Sequence, residues 1–135
     1  MKRRNFAALV LFLLVAVVLV GCADRKEKTE TASYQQITAE EAKPMMEEQP
    51  DAVVLDVREQ DEYDAGHIPG AVLLPVGTIN EETAASAIPE KDTVVLLYCR
   101  SGNRSKTASQ ALADLGYTQI YEFGGIKNWP YEVER

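Results

Sequence analysis

The chain predicts an α/β domain built on a central, mostly parallel sheet, and three observations carry that expectation. Asp51–Val57 is a nearly continuous apolar run of strand length, as expected for a strand covered on both faces of a parallel sheet. Further strand-forming runs at 71–74, 93–98 and 119–123 alternate with stretches carrying helical spacing or helix-start signals, which implies right-handed crossovers within one sheet. The run Thr93–Tyr98 also delivers Cys99 to a strand end and passes through a tight loop into a helix, and sheets of this kind place ligands beyond the carboxyl ends of their strands.

In chain order, Lys2-Arg3-Arg4 precedes an unbroken apolar run from Phe6 to Val20. This is a charged region followed by an apolar one, and it is shorter than the ~20 residues a membrane-spanning helix needs. Residues 1–21 therefore read as a signal peptide. Leu19-Val20-Gly21-Cys22 resembles the bacterial lipobox, which implies cleavage before Cys22 and lipid, palmitate included, on that cysteine. An uncleaved membrane anchor is the other reading. Either one places the domain outside the cytoplasm, tied to a bacterial membrane.

The formal net charge is −7, and losing Lys2, Arg3 and Arg4 with the leader moves it to −10. Such a balance argues against nucleic acid or anionic lipid as a partner, because both reward positive surfaces. Of the two cysteines, Cys22 is assigned to lipid, so Cys99 has no disulfide partner; an unpaired thiol in an exported protein is a candidate reactive group. Residues 23–36 are polar, mixed in charge and poor in large apolar side chains, and read as a flexible tether. The remaining 37–135 form one domain with a single core, expected to be a monomer.

Within that domain, Thr38 and Glu41 form a capping box opening a short helix from Ala39 to about Glu48, with Pro44 inside it either weakening the helix or implying a late start. Strand 51–57 follows, then a helical turn over 59–65, a strand over 71–74, a helix over 81–88 and the thiol-bearing strand over 93–98. The next helix has Ala108, Ala111, Leu112 and Leu115 as its apolar stripe and ends at Gly116, before a last strand over 119–123.

The loop Cys99-Arg100-Ser101-Gly102-Asn103-Arg104-Ser105 is the centre of the functional reading. Its backbone N–H groups can curl inward while the following helix contributes unsatisfied donors and the positive end of its dipole. A thiolate is an anion, so the same field lowers the pKa of Cys99, with Arg100 and Arg104 adding charge nearby. The plainer reading is a buried, inert cysteine beside solvated arginines. Cys99 and the only histidine, His67, lack metal-ligand spacing, so neither metal nor cofactor is expected.

This strand, loop and helix resemble the active-site segment of the rhodanese family of sulfurtransferases. The likeness extends to Leu55-Asp56-Val57-Arg58, Glu62-Tyr63 and Gly66-His67-Ile68-Pro69-Gly70-Ala71, and to Tyr121-Glu122-Phe123-Gly124-Gly125 with Trp129. It implies a three-layer domain with a sheet of about five strands flanked by helices. It also implies Cys99 as the catalytic nucleophile, with Arg100, Ser101, Gly102, Asn103, Arg104 and Ser105 around the substrate. Asp56, Arg58 and His67 hold loops together in that pattern, and Trp129 reads as core.

Four residues separate Cys99 from Arg104, whereas the related phosphate-handling loops of cysteine phosphatases and arsenate reductases carry five. The shorter loop makes a tighter cradle, suited to a terminal sulfur. The expected partners are therefore a small sulfur-containing anion or persulfide as donor, and a thiol or cyanide as acceptor. A phosphatase-like enzyme and a non-catalytic, membrane-anchored binding or sulfur-sensing module stay open as alternatives.

Overall fold

The computed structural model describes residues 31–135, so the leader, Cys22 and residues 23–30 of the tether lie outside the described residues. Among the described residues no helix is long and apolar enough to cross a membrane. The elements are β1 (Gln35–Gln36), α1 (Ala39–Glu48), β2 (Val53–Asp56), α2 (Gln60–Ala65), β3 (Val72–Leu73), α3 (Glu81–Ala87), β4 (Val94–Cys99), α4 (Asn103–Asp114) and β5 (Gln119–Gly125). Single 3₁₀ turns occupy Val76–Thr78 and Ile126–Asn128. The five strands lie in the order β1-β5-β4-β2-β3 and every pairing is parallel, as the sequence implied.

Side chains alternate across a strand, and here the alternation sorts the core into two halves. Val95, Leu97 and Cys99 of β4 pack with Ala84 and Ile88 of the α3 region and with Ala108 and Leu112 of α4. Leu96 and Tyr98 face the opposite side, with Ala42 of α1, Ile68, Ala71 and Phe123. The phase of this alternation aims the Cys99 thiol at the layer that contains α4.

Three expectations need correction. Gln35 and Gln36, read as the end of the tether, form β1 and pair with Tyr121 and Glu122 of β5. Edge pairing uses backbone groups, which composition does not report, and Tyr34 packs against the core beside it. Helix α1 does not start late: the Thr38 capping box closes at 3.2 and 2.8 Å and the helix runs from Ala39 through Pro44. Pro44 and Glu40, whose carbonyl loses its donor, are both exposed, so water can replace the missing bond. The buried stripe of α4 is Ser105, Ala108, Ser109, Leu112 and Ala113, rotated from the expected one because two of its members are serines.

The end of α4 is as expected. Gly116 takes φ +95°, its N–H bonds the Ala113 carbonyl and the Tyr117 N–H bonds that of Leu112, the paired arrangement that closes helices on a left-handed residue.

Candidate active site

Cys99 is the last residue of β4 and is 1 % exposed. The chain then turns through Arg100 and Ser101 to Gly102, which enters α4 at φ +104°, a conformation glycine adopts without a Cβ penalty. Gly102 offers no side-chain cap to α4. The sulfur accepts at this helix end instead, from the Gly102 N–H at 3.0 Å and from the Ser105 N–H of the first turn of α4. Burial pushes the thiol pKa up, but the hydrogen bonds the thiolate can receive, from a Ser105 hydroxyl turned toward it and from the N–H groups of Ser105, Gly102 and Ser101, more than offset it, so the thiol lies below its ordinary value.

Behind the sulfur stands a contact between two residues that the sequence did not link, Ser105 and Glu122. Ser105 is fully buried, and its Oγ lies 3.5 Å from Cys99 Sγ and 2.6 Å from Glu122 Oε1. Glu122, on β5, is 3 % exposed and also accepts the Gly124 N–H at 2.8 Å. Ser105 thus belongs to the buried wall behind the thiol. The glycines after Glu122 have separate reasons: Gly124 sits at φ +88°, and a Cβ on Gly125 would fall on the Arg100 carbonyl. That close approach lets Lys127 N–H bond the same carbonyl at 3.2 Å, fixing the outer turn of the loop against the end of β5.

The remaining loop residues divide by exposure. Arg100, Ser101 and Asn103 are exposed, while Arg104 is half-buried. Arg104 is not free: Nη1 and Nη2 hold the two carboxylate oxygens of Glu62 at 2.7 and 2.8 Å, a bidentate pair. That hydrogen bonding holds the Glu62 carboxyl down to about 2. Glu62 lies in the Glu62-Tyr63 motif, but only the fold shows that it faces the thiol loop.

Asp56 and Arg58 are brought together in a buried pair. Asp56 is fully buried at the end of β2, accepts Arg58 Nη2 at 2.6 Å and Nε at 2.9 Å, and accepts the Tyr98 hydroxyl at 2.8 Å. Arg58 in turn donates to the Gly66 carbonyl at 2.7 Å. Burial alone would lower the pKa of this guanidinium, and Asp56 reverses the effect. Burial also drives the Tyr98 hydroxyl well above its usual range, so it stays a donor to Asp56 while accepting Ile68 N–H at 3.0 Å.

His67 stacks on Tyr63 with centroids 3.7 Å apart; its Nδ1 bonds the Tyr63 carbonyl at 2.9 Å and its Nε2 lies 3.2 Å from Glu134. These contacts tie the chain end to the 63–67 segment and leave neither ring nitrogen directed at Cys99. Trp129 packs on Phe123 with centroids 5.6 Å apart, and also lines a concavity of about 550 Å³ with Lys43, Met46, Ile68 and Tyr131. No residue of the Cys99 loop lines that concavity.

A parallel sheet whose strand end feeds a thiol into a ring of amides at a helix N-terminus defines a class. Residues 38–131 match the rhodanese-like domain, and the chain belongs to that family. Among particular relatives, thiosulfate sulfurtransferase PspE of Escherichia coli is 35% identical over 74 residues, 55% of this chain and 70% of that protein. Thiosulfate sulfurtransferase GlpE of Coxiella burnetii is 33% identical over 97 residues, 71% of this chain and 87% of the relative. The solution structure of the rhodanese-like domain of the Anabaena protein Alr3790 aligns with a TM-score of 0.67 at 27% identity, covering 76% of this chain and 80% of that one.

Proposed function

We propose that the protein moves sulfane sulfur through a persulfide on Cys99. The observation that carries this reading is the convergence of amides on a buried sulfur, with the Gly102 N–H at 3.0 Å. The Cys99 thiolate attacks the outer sulfur of a donor such as thiosulfate; the bond between the two donor sulfurs breaks, sulfite leaves with that electron pair, and the outer sulfur stays on Cys99 as a persulfide anion. A thiolate or cyanide then attacks this outer sulfur, and the cysteine thiolate is regenerated. Dividing the transfer in this way gives ping-pong kinetics.

The amides that receive the thiolate are placed to stabilise the terminal sulfur as well. Arg100, exposed and in no ion pair among the described residues, is the cation available to the leaving sulfite, while Arg104 reaches it only when Glu62 lets go. The test is mass spectrometry after thiosulfate treatment, with turnover to cyanide in parallel. Wild type gains one sulfur atom, whereas Cys99→Ser gains none and loses turnover. A wild-type chain that never gains the atom refutes the reading.

The leader supports a second element of the proposal, a lipid on Cys22 that holds the domain outside the cytoplasm on a bacterial membrane. Metabolic labelling with a fatty acid tests it: label is expected on wild type and absent from Cys22→Ser, and an unlabelled wild type overturns it.

A further inference from the structure

Glu122 is a carboxylate in the interior with no counter-ion. It is 3 % exposed, and among the described residues it joins no ion pair, although a buried charge left unpaired is costly. Its hydrogen-bond partners are the Gly124 N–H and the Ser105 hydroxyl, and both meet the same oxygen, Oε1.

Ser105 has one hydrogen and several acceptors around it: Glu122 Oε1 at 2.6 Å, the Gly102 carbonyl at 3.1 Å, the Gly124 carbonyl at 3.3 Å, and Cys99 Sγ at 3.5 Å. The shortest contact, to a carboxylate, takes that hydrogen. The Ser105 oxygen then faces Cys99 as an acceptor, so a serine engaged with an ionised Glu122 favours the neutral thiol. It supports the thiolate only once its hydrogen is released from Glu122.

We propose that Glu122 is a positioning residue that acts through Ser105 as the internal acceptor of the Cys99 proton. The S–H bond of Cys99 breaks as its proton passes to Ser105 Oγ, while the Ser105 O–H bond breaks and that proton passes to Glu122 Oε1. The products are a thiolate that accepts from Ser105 and from the Gly102 N–H, and a neutral buried carboxyl. One negative charge moves from oxygen to sulfur and no proton leaves the protein.

The other charged groups around the relay are Arg104 of α4, which lies toward Cys99, and the carboxylates of Glu62 and Glu59 that face Arg104 from the α2 segment. Two ionisable groups sharing a proton titrate as a pair. The inference deepens the sulfur-transfer reading by supplying its base, but it concerns only the ionisation of the thiol.

The test is the rate at which iodoacetamide alkylates Cys99 as a function of pH. Alkylation reports the thiolate whether or not sulfur is transferred, so it separates failure of the relay from failure of the activity. Wild type is expected to rise in two steps with a plateau between them, the plateau being the form with one shared proton. Glu122→Gln, which cannot accept that proton, is expected to show one step. Ser105→Ala, which keeps the carboxylate but cuts the link, is expected to lose the plateau.

Infrared difference spectroscopy on wild type alone gives a second readout that needs no variant to fold. At the plateau pH, alkylation of Cys99 should remove the absorption of a protonated carboxyl. A single step in wild type, a plateau that survives in either variant, or no carboxyl signal at the plateau overturns the proposal.

Discussion

Two arginine–carboxylate pairs flank the thiol loop, and their difference separates scaffold from mouth. In the Asp56–Arg58 pair the side chains are 0% and 6% exposed, and both partners carry further bonds, to Tyr98 and to the Gly66 carbonyl. In the Glu62–Arg104 pair they are 26% and 34% exposed, and the pair links α2 to α4. The geometry of each is close and charge-assisted, so burial decides the role. The inner pair cannot open without stranding a charge, whereas the outer one opens into water. The two are also connected: Arg58 anchors the Gly66 carbonyl at the end of α2, α2 carries Glu62, and Glu62 sets the Arg104 guanidinium beside the loop.

The inner pair is the place to seek the largest effect. Asp56→Asn keeps the shape but leaves Arg58 with no counter-charge, and breaking a buried pair costs about 3–5 kcal/mol. Against a total stability of about 5–15 kcal/mol, that should bring a large drop in the urea midpoint with an unchanged slope. A drop no larger than that of an exposed pair would mean that the inner pair is not scaffold. A smaller loss is expected at the other support of the loop. Gly125→Ala forces the Arg100 carbonyl to move, at about 1–3 kcal/mol if the contact behaves as overpacking. Because that carbonyl precedes the amides around Cys99, the pH midpoint for alkylation should rise in this variant; an unchanged midpoint would detach the Gly125 contact from the thiol.

The same contrast shows what was legible in the chain. The parallel sheet could be read because strands such as Val53–Asp56 and Val94–Cys99 carry their burial in their composition, and Cys99 could be read because its loop interrupts a strand and opens a helix. What escaped depends on pairs distant in sequence. Glu62 and Arg104, or Ser105 and Glu122, meet only when crossovers bring α2 and β5 to the two sides of α4. The burial of Ser105, named only as a loop residue, and of Ser109 escaped for a different reason, since a polar residue at a helical position reads as solvated until its partner is known. Ser109 Oγ is in fact buried with no hydrogen-bond partner, a feature for which the structure offers no explanation. Strand β1 was missed because pairing of exposed glutamines leaves no mark on hydropathy.

The outer pair should have the smallest effect on stability and the more informative one on function. Glu62→Gln removes a partly exposed pair worth at most about 1 kcal/mol, so the urea midpoint should barely change near neutral pH. The sign of its acid dependence follows from the shift: the Glu62 carboxyl falls from 4.5 to about 2 on folding, so its stabilisation is present above pH 4.5 and is lost as pH drops toward 2. The variant should lack that component of acid sensitivity.

Releasing Arg104 also leaves a free guanidinium beside the thiol, and a dianionic donor gains from it more than an uncharged persulfide does. The ratio of kcat/KM for thiosulfate to that for a neutral persulfide should therefore rise, by up to about five-fold for ~1 kcal/mol, and the gain should shrink as salt is added. An unchanged ratio would show that Arg104, even when freed, does not face the donor, and that the outer pair is a second strut, as fixed in its role as the inner one.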